Sequence, residues 1–281
     1  MLKTIEEFKQ LTTTSDLLEF LKKKGMNHNY YHHYTSLESV IKIIASEFFL
    51  LTRGTATCMN DQQECLAKGS QELWNQTYIG SFSYGDSENM AMWGLYSLPW
   101  EDAVRISIPK SAMLKWISGI DQVYKVTLPI LEKEEISPLP RVVLSDIVYT
   151  NGKQNDITSK LYWNNSSIRV NENQFYGIDY RPEMTGFIKN DAWRYENEVR
   201  IHIQLQRDIQ SERIGINIPP EVIDSLMITA GPYFSGDLLS RIAGKIPQVL
   251  NIHQVQESGF KRLVNYRTLC SMCGKEPFVR K

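Results

Sequence analysis

Glu196-Asn197-Glu198-Val199-Arg200-Ile201-His202-Ile203-Gln204-Leu205-Gln206 carries the clearest structural signal in the chain. Val199, Ile201, Ile203 and Leu205 recur at every second position. Successive side chains of a strand point to opposite faces, so this period predicts a strand over 196–206 with one apolar face. Glu196, Glu198, Arg200 and His202 then share the other face. Like charges on one face repel unless something uses them. A solvated antiparallel surface and a functional site are both consistent with that pattern.

Outward from this strand, aromatic and β-branched runs predict further strands at Tyr30–Tyr34, Phe48–Thr52, Ile79–Tyr84, Val104–Ile108 and Val123–Leu128. Ile214–Ile218, Leu226–Thr229 and Val249–Val255 follow in the C-terminal third. Helices are expected where capping residues precede apolar stripes. Thr4 with Glu7 opens one, and Ser15 or Asp16 opens a second that stops at Gly25. Thr35 with Glu38 caps a third, carrying Leu37, Val40, Ile41 and Ile44. A compact helix holds Met90, Trp93 and Tyr96, and another covers Ser235–Ile246. The polar stretch Lys153–Gly186 reads as a helix-bearing surface excursion. Short strands with dispersed helices and no regular βαβ rhythm place the chain in the α+β class. Residues 1–28 read as an N-terminal helical attachment and 29–281 as a single α+β domain. No G-x-G-x-x-G follows an early strand, which argues against a nicotinamide-dehydrogenase fold.

Composition narrows the function classes. The 281 residues are 42% apolar, enough for the core of one large domain or two small ones. The net charge of −1 lacks the basic surplus that drives sequence-independent binding to phosphate backbones. No apolar run is long enough to span a membrane, and the opening residues carry acids without an apolar signal region, so a soluble cytoplasmic protein is expected. Four cysteines do not make a disulfide scaffold. Cys270-Ser-Met-Cys273 is one knuckle without its second pair, so free thiols are expected there rather than zinc, and no metal site is assigned.

Four segments carry candidate chemistry. His32-His33-Tyr34-Thr35 sits where a strand meets a capped helix, a place suited to presenting an imidazole beside an anion-favouring helix start. Adjacent strand histidines face opposite ways, so the two do not chelate one metal. Asn60-Asp61-Gln62-Gln63-Glu64 puts two carboxylates one helical turn apart, as a cation site or as helix-start acids. Ser81-Phe82-Ser83-Tyr84, followed by Met92-Trp93-Gly94-Leu95-Tyr96, offers a small polar strand face and an aromatic helix, a pocket wall or core. The fourth is Trp193-Arg194-Tyr195-Glu196-Asn197-Glu198-Val199-Arg200.

In that order, Tyr-His-His-Tyr-Thr-Ser, Asn-Asp-x-x-Glu, Phe-Ser with Met-x-Met-Trp-x-x-Tyr, and Trp-x-Tyr-Glu-x-Glu-x-Arg resemble an uncharacterised bacterial family with an H-Y-T-S start and a Y-E-x-E-W-R strand. The resemblance covers residues 30–235; Gln62-Gln63 stands where Pro-Phe is usual and Val199 where Trp is usual. The pattern is in turn similar to ADP-ribosyltransferases, whose sites take a His or Arg on the first strand, a Ser, Thr or Tyr on a middle strand, and a Glu on a late one. The resemblance implies a β core of two packed sheets with flanking helices, NAD as substrate, and a toxin or phage-defence role. Glu198, Glu196 and Ser83 are then the catalytic set, with Ser83 supporting Glu198. His33, Tyr34, Thr35, Trp93, Tyr96 and Arg200 are the NAD-binding set: His33 bonds the adenosine-side ribose, Trp93 or Tyr96 stacks on nicotinamide, and Arg200 contacts pyrophosphate or holds Glu198. The acceptor is protein, nucleic acid, a small molecule or water. Two alternatives stay open. One is a two-metal phosphodiesterase built on Asp61, Glu64, Glu196 and Glu198, and the other a nucleotide- or partner-binding module without turnover.

Overall fold

A computed structural model describes residues 14–55, 71–128, 131–150, 184–246, 254–261 and 263. In chain order the strands are β1 (Tyr30–Ser36), β2 (Phe48–Arg53), β3 (Thr77–Tyr84), β4 (Ala103–Pro109), β5 (Tyr124–Thr127), β6 (Glu132–Glu135) and β7 (Arg141–Asp146). They continue with β8 (Val148–Thr150), β9 (Ile188–Asn190), β10 (Glu198–Gln204), β11 (Arg213–Asn217), β12 (Met227–Ala230) and β13 (Val255–Glu257). The helices are α1 (Thr14–Gly25), α2 (Leu37–Ser46), α3 (Gln71–Gln76), α4 (Met90–Tyr96), α5 (Lys110–Ser118), α6 (Pro220–Ile223) and α7 (Leu238–Ile242). The architecture is α+β, with antiparallel pairs predominating and parallel pairs at β8–β9 and β12–β13.

The chain forms two compact units. The first holds the described residues up to His33, from Ser46 to Asp86 and from Ile108 to Ser225; the second holds the rest.

In the first unit β3 is the hub. One edge pairs β10 from Glu198↔Ser83 to Gln204↔Thr77, and β10 pairs β7 on its far side. The other edge of β3 is shared: β1 pairs it at Tyr31↔Tyr84 and His32↔Ser83, and β2 at Thr52↔Ile79 and Arg53↔Tyr78. Residues paired across an antiparallel ladder share a face. Val199, Ile201 and Ile203 therefore lie with Tyr78 and Phe82 on one side, all of them buried. Phe49 and Phe82 stack there at 5.2 Å, with Trp116 of α5 edge-on to Phe49 at 5.6 Å. The opposite face is polar, yet it is not solvated. Leu17 and Leu21 of α1 cluster with Val148, Met184 and Phe187, with Val143 of β7 packed beside them. Helix α1 meets β7 so closely that a Cβ on Gly25 would lie 2.6 Å from Ser145 Cα, which only glycine allows.

In the second unit β12 lies between β4, antiparallel, and β13, parallel. The side chain of Asn89 caps α4 by accepting from Ala91 N at 2.9 Å, and Asp237 caps α7 through Ser240 N at 2.7 Å.

Several sequence expectations shift. The strand expected over 196–206 is Glu198–Gln204, because Asp191–Glu196 is a 3-10 helix and Asn197 takes a left-handed φ of 45°. Glu196 therefore does not share a strand face with Glu198. Strand β1 runs on to Ser36, and Ser36, not Thr35, caps α2: its hydroxyl accepts from Ser39 N at 3.3 Å. The helix expected over 235–246 shortens to Leu238–Ile242 because Asp237 caps it. Helix α5 and strands β6 and β7 were not legible. Every residue of β6 is exposed and all four are charged, so no apolar period marks it. The helix expected at Thr4, the Asn60–Glu64 segment, residues 153–183 and the four cysteines lie outside the described residues. Among the described residues, no helix is long and apolar enough to cross a membrane.

Two glycines test the packing. Gly25→Ala forces backbone atoms apart and should cost about 1–3 kcal/mol, seen as a lowered Tm. Gly94, inside α4, has nothing within 4 Å of its would-be Cβ. Gly94→Ala should instead raise stability by about 0.5–1 kcal/mol. Equal effects of the two in thermal unfolding would contradict the α1–β7 contact.

Candidate functional site

The polar face of β10 holds a buried ionic network. Glu198 Oε1 accepts from Arg200 Nε at 2.7 Å and from Ser81 Oγ at 2.6 Å. Its Oε2 accepts from Arg200 Nη2 at 3.0 Å and from Lys189 Nζ at 3.1 Å. Lys189 also donates to Glu196 Oε2 at 2.6 Å, which closes a set of two carboxylates and two cations. Glu198 is 4% exposed and Arg200 0%. The bidentate fork from guanidinium to carboxylate is the strongest pairing these groups make.

Backbone groups complete the set. Glu198 N donates to the Tyr149 hydroxyl at 2.9 Å, and Arg200 Nη1 donates to Gly186 O at 2.8 Å. Gly186 has φ of 84°, and a Cβ there would sit 2.7 Å from the His202 ring. This one left-handed turn lets Gly186 offer its carbonyl to Arg200 while Thr185 O accepts from His202 Nε2 at 2.9 Å. Phe187 packs on the same imidazole at 4.4 Å.

Burial and charge set the protonation states. Burial pushes the Glu198 carboxyl up, but the charges of Arg200 and Lys189 and the bonds from Arg200 and Ser81 outweigh it and hold the group well below the usual carboxylate range. Burial, reinforced by the Glu198 charge, pushes the Tyr149 hydroxyl far above its ordinary value. Desolvation lowers His202 to about 4, so this imidazole is neutral near pH 7. A carboxylate held this way is a fixed anion. It stabilises neighbouring positive charge and is a poor proton acceptor.

The register brings three of the expected residue types into one row. His32 on β1 lies opposite Ser83 on β3, and Ser83 lies opposite Glu198 on β10. The three share a face and are buried. His32 Nε2 donates to Gly85 O at 2.8 Å. His33, the histidine expected in the site, faces the other way. Its ring lies 5.4 Å from Phe49 and 5.7 Å from Phe82, and its Nδ1 donates to Ser81 O at 3.1 Å. Desolvation keeps it neutral-leaning, below the usual histidine value. Ser83 was expected to support Glu198, but the hydroxyl that reaches the carboxylate is that of Ser81, two residues earlier on the same face. Arg200 holds Glu198, one of its two expected roles, and is too buried to meet a diphosphate. Glu196 joins through Lys189.

Tyr34, Thr35, Trp93 and Tyr96 belong to the second unit. Tyr34 and Trp93 meet edge-on at 4.8 Å, and Trp93 Nε1 donates to Glu88 Oε2 at 2.9 Å. Trp93 is buried, while Thr35 and Tyr96 are half-buried. Sequence reasoning missed Ser81, Lys189, Tyr149 and His32. The Ser-x-Ser period could have found Ser81, and strand alternation could have favoured either histidine. Nothing in spacing marks Lys189, which enters from another strand. Of the carboxylates in the two-metal alternative, Asp61 and Glu64 lie outside the described residues, and Glu196 and Glu198 are each paired with a cation. A groove of about 1070 Å³ lies along residues 134–141 and 204–210, at the opposite end of β10 from Glu198. No family model, curated protein or solved structure matches the chain.

Acid should weaken this region in two steps. The folded pKa of His202 is depressed to about 4, so its stability contribution is complete above the ordinary histidine value of about 6.5. As pH falls from about 6.5 to 4 the unfolded chain takes the proton first, and up to about 3 kcal/mol is lost. Glu198, also depressed, adds a further loss below the ordinary carboxylate value of about 4. Urea midpoints against pH should fall through both windows, and His202→Gln should shrink the upper one, leaving the smaller share of the other depressed histidine, His33. A flat wild-type profile from pH 7 to 4 would contradict the burial of a neutral His202.

Proposed function

We propose that the first unit carries an NAD-consuming activity, ADP-ribosyl transfer or NAD hydrolysis, with Glu198 as the central group. The supporting observation is the row His32–Ser83–Glu198, set on adjacent strands in the order first, middle and late that such enzymes use. His32 takes the part expected of His33, since alternation turns His33 to the other face. A two-sheet, ADP-ribosyltransferase-like core belongs to the same reading.

The chemistry follows from the charges. Breaking the bond between nicotinamide and ribose builds positive charge on the sugar, as in glycoside cleavage. A carboxylate kept ionised by Arg200 and Lys189 meets that charge without reorganising, and such fixed electrostatics is often the largest catalytic term. Ser81 and Arg200 position the carboxylate, and His32 and Ser83 supply polar contacts along the same row. A second reading, nucleotide binding without turnover, is favoured by one observation: both Glu198 oxygens are already engaged by donors.

Incubation with NAD, with and without cell extract, followed by mass detection of nicotinamide, separates the two. Release without extract indicates hydrolysis, and release only with extract indicates transfer. His32→Ala should lower release about 100-fold, as loss of a preorganised polar group does. His33→Ala should lower Tm and leave release by the folded fraction near wild type. Glu198→Gln should abolish release, with the fold verified by near-UV circular dichroism because Arg200 loses its paired carboxylate and Lys189 one of its two. NAD binding without any nicotinamide would establish the binding module. Wild-type release by both His32→Ala and folded Glu198→Gln would sink the enzyme reading.

A further inference from the structure

The second unit contains a buried cation that no anion among the described residues pairs with. Arg105 on β4 is 6% exposed, and none of the ion pairs among the described residues includes it. Its Nη1 reaches the Tyr34 hydroxyl at 3.5 Å and its Nη2 reaches Thr229 Oγ1 at 3.4 Å, both at the long limit of a hydrogen bond. Its Nε is buried with no partner. The Tyr34 ring lies 5.7 Å from the guanidinium carbon, an attraction too small to offset a buried charge. The acid Glu88 of this unit accepts from Trp93 Nε1, Ser258 Oγ and Gly259 N, and no ion pair among the described residues joins it to Arg105.

The neighbours of Arg105 are also short of acceptors. The Tyr34 hydroxyl oxygen already accepts from Asn89 N at 3.1 Å, and Thr229 Oγ1 already accepts from Gln256 Nε2 at 2.7 Å. Each hydroxyl therefore keeps its own proton to donate, and no acceptor among the described residues takes it. Register aligns the group: Arg105 lies opposite Thr229, and Thr229 beside Gln256, so the three share a face. Gln256 stands exposed on the edge strand β13, where the row opens to solvent. Guanidinium N–H groups and two hydroxyl donors converge, and the missing component is an oxyanion.

We infer that Arg105 is the centre of an anion-binding site in the second unit, taking a phosphoryl group, with Tyr34 and Thr229 as supporting donors. A phosphoryl group fits better than a carboxylate because it has three oxygens for three donor groups, and the guanidinium fork matches two of them. The inference stands on the second unit alone and survives the failure of the Glu198 reading.

The test uses the full chain with sodium pyrophosphate, inorganic phosphate and ADP as probes, and sodium sulfate at matched ionic strength as control. Calorimetry should show one-to-one binding of pyrophosphate and ADP, with a raised Tm. Arg105→Gln should weaken affinity about 100-fold, and Arg105→Lys about tenfold because an ammonium lacks the fork. Without anion, Arg105→Gln should melt at or above the wild-type temperature, since it removes an uncompensated buried charge. Tyr34→Phe and Thr229→Val keep the guanidinium and should each weaken binding about tenfold, so the test stands even if Arg105→Gln does not fold. ADP bound as tightly as pyrophosphate assigns a bare diphosphate, and ADP bound tenfold tighter assigns a nucleotide. No binding beyond the sulfate control overturns the site. So does wild-type affinity in Arg105→Gln, or in both Tyr34→Phe and Thr229→Val.

Discussion

Four charges buried on one face of β10 are the constraint on which the first unit depends. Glu196, Glu198, Lys189 and Arg200 sum to zero, and each finds its opposite within hydrogen-bond distance. Isolated, any of them would be too costly to bury. Together they are tolerable because Ser81, Tyr149 and Gly186 supply further hydrogen-bond partners. Removing one partner from such a set typically costs about 3–5 kcal/mol, because its opposite is left uncompensated. The network therefore draws four pieces of chain together: β3, β8, the segment from Thr185 to Glu196, and β10.

The same constraint shapes the chemistry open to Glu198. A carboxylate with both oxygens engaged and two cations beside it stays ionised, so what it has to offer is charge and not proton transfer. His33 shows how tightly the surrounding sheet is drawn. Strand β3 gives one edge to two partners, β1 near its end and β2 near its start, and the His33 ring donates to Ser81 O between those two pairings. An imidazole spent on a backbone carbonyl between two phenylalanine rings serves the core, which is why its neighbour His32 is the histidine left on the Glu198 face.

The second unit presents the converse case. There the Arg105 guanidinium reaches only two hydroxyls, at the long limit of a hydrogen bond, and no carboxylate among the described residues closes the set. A balanced buried cluster is compensated from within, whereas an unbalanced one calls for an anion from outside. The contrast between the two rows, one complete and one short of an anion, rests on the same rule that buried charge must be compensated.

Local pattern determined much of this protein. The period of two in Val199–Ile203, the aromatic run at Tyr31 and Tyr34, and the cap-to-glycine span that ends at Gly25 were legible because strands and helices leave their periodicities in single segments. The α+β class and a polar strand face carrying Glu198, Arg200 and His202 followed from those periods, while the choice of Glu198 as its centre rested on the resemblance. Tertiary structure alone decided that the polar face would be buried under α1, that Lys189 would reach Glu198 from a separate strand, and that β1 would present His32 and not His33. It alone decided, too, that Arg105 would be buried with no ion-pair partner among the described residues. Register, burial and charge pairing depend on residues distant along the chain, and no local period records which strand will lie beside which.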